Sequence, residues 1–246
     1  MDSIFGIHSV IEALISGKEI EKVMIKRGVE GPNIEKIAQI CLEKNIPIQV
    51  VPVEKLDRSV SGRHQGVIAS IAQINYSPLE VAIEGALDAT PHPLVLLLDG
   101  VTDVRNFGAI ARTAECAGVS LIALPAKGGA AINAESIKSS AGALLRIPIS
   151  RVPNLRTALY YLKESGFSIV AATEKGDDSI YNVALQGAIA IVLGAEDKGI
   201  STSVLSLCDQ KASIPMQGAI SSLNVSAAAA VVLFEAVRQR RLVIRV

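Results

Sequence analysis

The stretch LVLLLDGVTDVRNFGAIAR, residues 94–112, decides the architecture of most of the chain. Leu94–Leu98 is apolar without interruption and stops at the turn pair Asp99–Gly100. An unbroken run of that length suits a strand covered on both faces, as in a parallel sheet, better than a half-exposed one. A helix is expected to follow from about Asn106 to Ala117, with Asn106 where an N-cap belongs. Ile110, Ala114 and Ala117 supply its apolar stripe, and Arg112 points away from it. The alternation then continues. Strands are expected at Ser120–Leu124, Ile147–Ser150, Ser168–Ala172, Ala190–Leu193 and Ala212–Ile214, and helices at Leu155–Glu164 and Ser222–Arg240. Residues 94–246 therefore predict an open α/β domain on a parallel sheet.

Upstream, residues 1–75 alternate on a smaller scale. Helices are expected at His8–Ser16 and Asn33–Lys44, with strands at Lys22–Lys26, Pro47–Val51 and Val67–Ile74. That makes a small separate α/β domain. Residues 76–93 hold Pro78, Pro91 and Pro93 and room for one or two helical turns, the composition of a linker.

Composition excludes several classes. With 24 basic and 24 acidic residues in 246, bulk charge neither demands nor forbids a polyanionic partner. Cys41, Cys116 and Cys208 are scattered, with no CxxC, which argues against a disulfide framework or a cysteine-rich metal site and fits a reducing, cytoplasmic setting. No apolar run approaches the roughly 20 residues of a membrane span, and no basic-then-apolar leader opens the chain. Neither a metal nor a membrane partner is expected.

In open parallel sheets, ligands collect beyond the carboxyl ends of the strands. Three loops there are rich in Gly, Ser and Asn: the one after Leu98, GAEDKGIS at 194–201 and PMQGAISSLNVS at 215–226. Nucleotide signatures fail on them. Gly100 and Gly108 are too far apart for GxGxxG, and Gly194–Gly199 is followed by Ile200–Ser201 where a phosphate loop needs Lys–Ser/Thr. GxSxG is missing, and no His follows His92, so histidine acid–base chemistry has no candidate in the large domain. Taken singly, the polar residues have plain readings. Asn106 and Glu196 would cap helices, Arg112 would be solvated, and Ser221, Ser222, Asn224 and Ser226 would start a helix. Arg238, Arg240, Arg241 and Arg245 would be either a solvated helix end or a phosphate-contacting patch.

Together they carry more. Asn106-x-Gly108-x-x-x-Arg112, LGAEDKG at 193–199 and IPMQGAISSLNVSAAAAVVLFEA at 214–236 resemble the three ordered motifs of the SpoU-type RNA ribose 2′-O-methyltransferases. FGIHSVIEAL at 5–14 and RHQGVIA at 63–69 resemble the family's small RNA-binding domain, which is similar to ribosomal protein L30e. The likeness is greatest to members that methylate a guanosine ribose of large-subunit rRNA. It implies a trefoil-knotted SPOUT domain with a C-terminal knot over residues 94–246, preceded by an L30e-like RNA-binding domain over 1–75. It implies S-adenosylmethionine as cofactor, held around Thr173, Gly194, Ile214, Met216 and Leu223. It also implies a homodimer with the active site at or near the interface.

By the same resemblance Arg112, Asn106, Glu196, Ser222 and Asn224 are catalytic, and Arg63, His64 and Gln65 bind RNA. A guanidinium hardly deprotonates, so Arg112 suits stabilisation of a developing alkoxide or phosphate positioning better than general-base work. Neutral charge on residues 1–75 points to recognition of RNA shape and unstacked bases. Two alternatives stay open: the same chemistry on tRNA, and a non-catalytic RNA-binding or ribosome-assembly factor.

Overall fold

The computed structural model describes residues 3–243 and divides into two units, Met1–Asn75 and Tyr76–Val246. The first unit runs β1 (Ser3–Phe5), α1 (Ile7–Ile15), β2 (Ile20–Lys26), α2 (Pro32–Glu43), β3 (Ile48–Val51), α3 (Val53–Asp57) and β4 (Val67–Ile71). Its sheet has the order β1-β4-β2-β3. The pair β2 and β3 is parallel, which needs a crossover, and α2 supplies it. Alternation along the strands sends Val23, Ile25, Val67 and Ala69 to one face, under α1 and α2, and Met24 and Ile68 to the other, against Leu56 of α3. Both β1 and α3 are too short for periodicity to reveal.

The second unit continues with α4 (Leu79–Ala89), β5 (Leu94–Asp99), α5 (Val104–Cys116), β6 (Leu121–Pro125), α6 (Ala134–Ser139) and β7 (Ile149–Val152). Then come α7 (Leu155–Glu164), β8 (Ser168–Ala172), β9 (Asp178–Ser179), β10 (Ile189–Gly194), α8 (Thr202–Leu205), β11 (Gln210–Ser213) and α9 (Val225–Val243). Seven parallel strands lie in the order β7-β6-β5-β10-β8-β11-β9. From β5 the chain first walks outward through β6 and β7, then crosses and builds the other half. β10 returns between β5 and β8, so the order reverses at the β5–β10 pair.

Val95 and Leu97 of β5 join a core with α4 and α7, while Leu96 and Leu98 are equally buried on the opposite face. This double cover explains the unbroken apolar run. The stretch 76–93 is not a linker: Leu79, Ile83 and Ala86 bury one face of an 11-residue α4 in the second unit's core. Its three prolines flank the helix, and Pro78 is its N-cap. No described helix is long and apolar enough to cross a membrane.

Candidate active site

Gly194 at the end of β10 pairs in register with Asp99 at the end of β5, so both loops leave the sheet where the strand order reverses. Gly194 has no room for a side chain. A Cβ there would lie 2.2 Å from the Gly199 carbonyl carbon and 2.3 Å from the Ile200 nitrogen. Its absence lets 195–199 close as a tight turn, with Gly199 N donating to Ala195 O at 2.8 Å. Asp99 Oδ2 fixes the exit of that turn by accepting from Ser201 N at 2.8 Å.

Three of the motif residues meet here. The N-cap of α5 is Asp103, not Asn106: Asp103 Oδ1 accepts from Arg105 N at 2.9 Å and Asn106 N at 2.8 Å. Asn106 therefore occupies the first turn, and its amide is free to reach across the loops. Its Nδ2 donates to Glu196 Oε1 at 3.2 Å, and its Oδ1 accepts from Asn224 Nδ2 at 3.1 Å. Glu196 Oε1 also accepts from Asn224 Nδ2 and from Val225 N, the latter at 3.3 Å. Asn224 Oδ1 in turn accepts from Ser226 N at 2.9 Å. Glu196 thus does cap a helix, though it is α9 rather than the neighbouring α8, and its charge faces the positive end of that dipole. α9 accordingly begins at Val225, three residues later than Ser222.

Gly108 serves packing. A Cβ would fall 1.8 Å from Ser139 Oγ and 2.7 Å from the Ser136 carbonyl, so its absence lets α5 lie directly on α6. Arg112 is exposed on α5 and makes no hydrogen bond or ion pair among the described residues. It stands apart from the Asn106–Glu196–Asn224 network.

Beside that network is a pocket. Thr173, Gly194, Ile214, Met216, Ser222 and Leu223 all line it, and so does Glu196. Residues 214–223 make no hydrogen bond to other described residues, so the backbone groups of Ile214, Met216, Ser221, Ser222 and Leu223, which line the pocket, are left for a ligand or water. Ile200, Ile214, Met216 and Leu223 offer apolar walls for a flat ring, and Thr173, Ser221, Ser222 and Glu174 offer polar groups near them. That donor set fits S-adenosylmethionine, which combines a purine, a ribose and a cationic tail. Residue type alone singles out neither Glu174 nor Asp103, and it marks Asp99 only as part of a turn, although an acid at a strand's carboxyl end is a signal for a loop-fixing role.

Among the described residues, no group of three His, Cys, Asp or Glu is placed to hold a metal. Burial pushes the thiols of Cys41 and Cys208 up to about 11, so neither is a ready thiolate at neutral pH.

The expected RNA-contacting triplet divides. His64 is largely enclosed: its Nδ1 accepts from Gly66 N at 3.0 Å, which leaves the proton on Nε2 to bond Asp57 Oδ1 at 2.8 Å. Gln65, at φ 52°, turns its Oε1 to accept from Ile7 N at 3.1 Å at the start of α1. Only Arg63 is exposed and without a partner. The C-terminal arginines divide as well. Arg240 bonds four backbone carbonyls, Arg238 pairs with Glu235, and Arg241 is exposed. Arg245 lies outside the described residues.

Both units match known protein families. Residues 93–234 match the SpoU rRNA Methylase family, and residues 3–77 match the RNA 2′-O ribose methyltransferase substrate binding family. The chain belongs to the SpoU rRNA methylase family. It is 36% identical over 96% of its length, and 95% of the relative's, to a TrmH family tRNA/rRNA methyltransferase of Staphylococcus haemolyticus. An AdoMet-bound rRNA methyltransferase from Sinorhizobium meliloti aligns over 96% of this chain and 86% of that one, with TM-score 0.60 and 26% identity. The SpoU methyltransferase AviRb of Streptomyces viridochromogenes, with AdoMet, aligns over 98% and 90% with TM-score 0.62 at 23% identity. The second unit has the trefoil-knotted SPOUT fold and the first the L30e-like one. The protein is an S-adenosylmethionine-dependent RNA 2′-O-ribose methyltransferase.

Proposed function

We propose that this enzyme methylates the ribose 2′-hydroxyl of a guanosine in large-subunit rRNA, acting in the cytoplasm as a homodimer. The observation that carries the reading is the Asn106–Glu196–Asn224 network, which ties the first turn of α5 and the loops before α8 and α9 together beside a pocket lined by the unbonded backbone of Ile214, Met216 and 221–223. Bound there, S-adenosylmethionine supplies an electrophilic methyl group on a sulfonium. Thr173, Gly194, Ile214, Met216 and Leu223 hold it. Asn106, Glu196 and Asn224 fix the loops that aim it, and Ser222 hydrogen-bonds beside it. Arg112, unpaired and exposed, is free to meet the RNA, where its planar fork stabilises charge developing on the 2′-oxygen and orients the adjacent phosphate.

The separate substrate-binding unit favours a large, structured RNA over a small one, and supports rRNA. Support for a second copy comes from α9. Ala227, Ala230, Val231 and Phe234 follow helical spacing along one partly or fully exposed face, and Phe234 is 49% exposed. That face would join two copies and bring their active sites together. The test is transfer of labelled methyl from S-adenosylmethionine to unmodified large-subunit rRNA, mapped by reverse-transcription stops at low nucleotide concentration. One stop, 3′-adjacent to one guanosine, is expected. Incorporation into tRNA alone would replace the substrate assignment.

A further inference from the structure

We infer that the first unit holds a seat for one unstacked RNA nucleotide, in the cleft between the end of β2, the start of α3 and the loop 62–66; this rests on the reading of that unit as the RNA-binding one. The cleft is open to solvent and offers about 420 Å³, room for a base and its sugar. Half-buried Val29 and Val53 give it apolar lining, and the exposed cations Lys26 and Arg63 stand on its rim. No described partner engages either side-chain cation. Asp57, the acid of the cleft, is already bound to His64.

The loop is built rather than loose. His64 ties it to α3 and to Gly66, and Gln65 ties it to α1 while standing in the left-handed region at φ 52°. Such backbone persists only where its surroundings hold it, and it collects at ligand sites. An aromatic ring also lies beside the loop, against Gly62 of the lining. A Cβ at Gly62 would lie 2.6 Å from the Phe5 ring, so the ring rests directly on the loop, yet Phe5 stays 37% exposed. Apolar lining, a partly open aromatic ring and two free cations are the components by which proteins hold a splayed base and its phosphate. His64 and Gln65 are accordingly positioning residues, and Lys26, Arg63 and Phe5 make the contact.

The experiment titrates the full chain with a fluorescent eight-nucleotide single-stranded RNA of mixed sequence, and with the same RNA annealed to its complement. Wild type should prefer the single strand. Lys26→Ala/Arg63→Ala should weaken it about tenfold and flatten the salt dependence, by about 0.7 in slope per lost phosphate contact. Phe5→Leu should weaken it about fivefold or more with the salt slope intact, since only the stacking face is lost. Val53→Phe, which fills the cleft at constant charge, should do likewise. Thermal melts check each fold, and the double alanine variant, being on the surface, keeps the test open if Val53→Phe misfolds. Wild-type affinity in the double variant and in Phe5→Leu overturns the seat while leaving the unit an RNA binder. Failure of wild type to bind either RNA at low salt overturns the RNA reading itself.

Discussion

Asn106 and Glu196, 90 residues apart in the chain, are joined by a 3.2 Å hydrogen bond beside the pocket that Glu196 lines. The bond fastens the first turn of α5 to the loop after β10, and Asn224 closes the ring from the start of α9. One carboxylate oxygen receives all three donors, so the loops are only as fixed as Glu196.

Glu196→Ala should therefore loosen the pocket before it affects the fold. Its exposed donors regain water, so the net stability loss should be about 1–2 kcal/mol, or a melting midpoint lower by about 2–8 °C. Affinity for S-adenosylmethionine, measured by calorimetry, should fall at least tenfold as the 195–201 and 214–224 loops lose their common anchor. An unchanged affinity would show that the network does not position the pocket.

Arg112 predicts the reverse pattern. It has no partner in the described structure, so Arg112→Ala should leave the melting temperature within about 1 °C and cofactor affinity unaltered. Methyl transfer should nevertheless drop about 10²–10³-fold, as when a charge-stabilising donor is removed. Arg112→Lys should recover only part, because a point charge replaces a planar fork. Retained turnover in the alanine variant would move the role elsewhere.

The contrast between Arg112 and Asn106 also shows what could be read from residues alone. Strands such as β5, β8 and β10 were legible because burial on both faces leaves uninterrupted apolar runs. Short elements were not: three residues of β1 and the six of α6 carry no period. Pro78, Pro91 and Pro93 suggested a linker, yet α4 between them is recognisable only once the sheet it covers is known. By residue type Asn106 reads as a cap, but Asp103 three residues earlier takes that place, which releases Asn106 for Glu196. The pairing of sites 90 residues apart depends on strand order, and local spacing does not encode it.

Gly108 offers a test that is purely steric. Gly108→Ala would press a methyl against the Ser136 carbonyl at 2.7 Å and Ser139 Oγ at 1.8 Å. The serine hydroxyl can rotate, but the carbonyl cannot without moving α6. A loss of about 1–3 kcal/mol is expected, seen as a lower urea midpoint. Adding Ser139→Gly should recover part of it and no more, since the carbonyl contact remains. A neutral Gly108→Ala would mean that the helices separate freely.

Acid should act through Glu235. Its carboxyl is held below the usual range by Arg238, against the opposing effect of burial and with help from the Gln239 amide. A depressed carboxyl stabilises the fold above its unfolded value of about 4.3, and that contribution disappears as pH falls through the lower folded value. With Arg238 half exposed, the contribution should be about 1 kcal/mol. Glu235→Gln should therefore be less stable than wild type at pH 7, with the gap narrowing as pH falls below the usual carboxylate range, by urea titration across that range. A constant gap would mean that the carboxylate charge is not what matters.

Arg240 decides between the two readings of the C-terminal arginines. Its guanidinium donates to Leu185 O at 3.0 Å, His92 O at 3.0 Å, Gly187 O at 3.1 Å and Pro93 O at 3.4 Å. Nearby, Gln239 accepts from Leu185 N at 2.8 Å and donates to Val183 O at 3.0 Å, so α9 clamps the chain leading into both β5 and β10. Four of the five N–H groups of Arg240 are committed to backbone carbonyls, which leaves at most one for a phosphate. Arg240→Ala should lower stability by about 2–4 kcal/mol, because partly buried carbonyls lose their donors. Arg240→Lys should rescue little, since one ammonium cannot span four acceptors. The salt slope of RNA binding, measured below the variant's melting temperature, should stay that of wild type. A slope smaller by about 0.7 with stability intact would instead make Arg240 a phosphate contact.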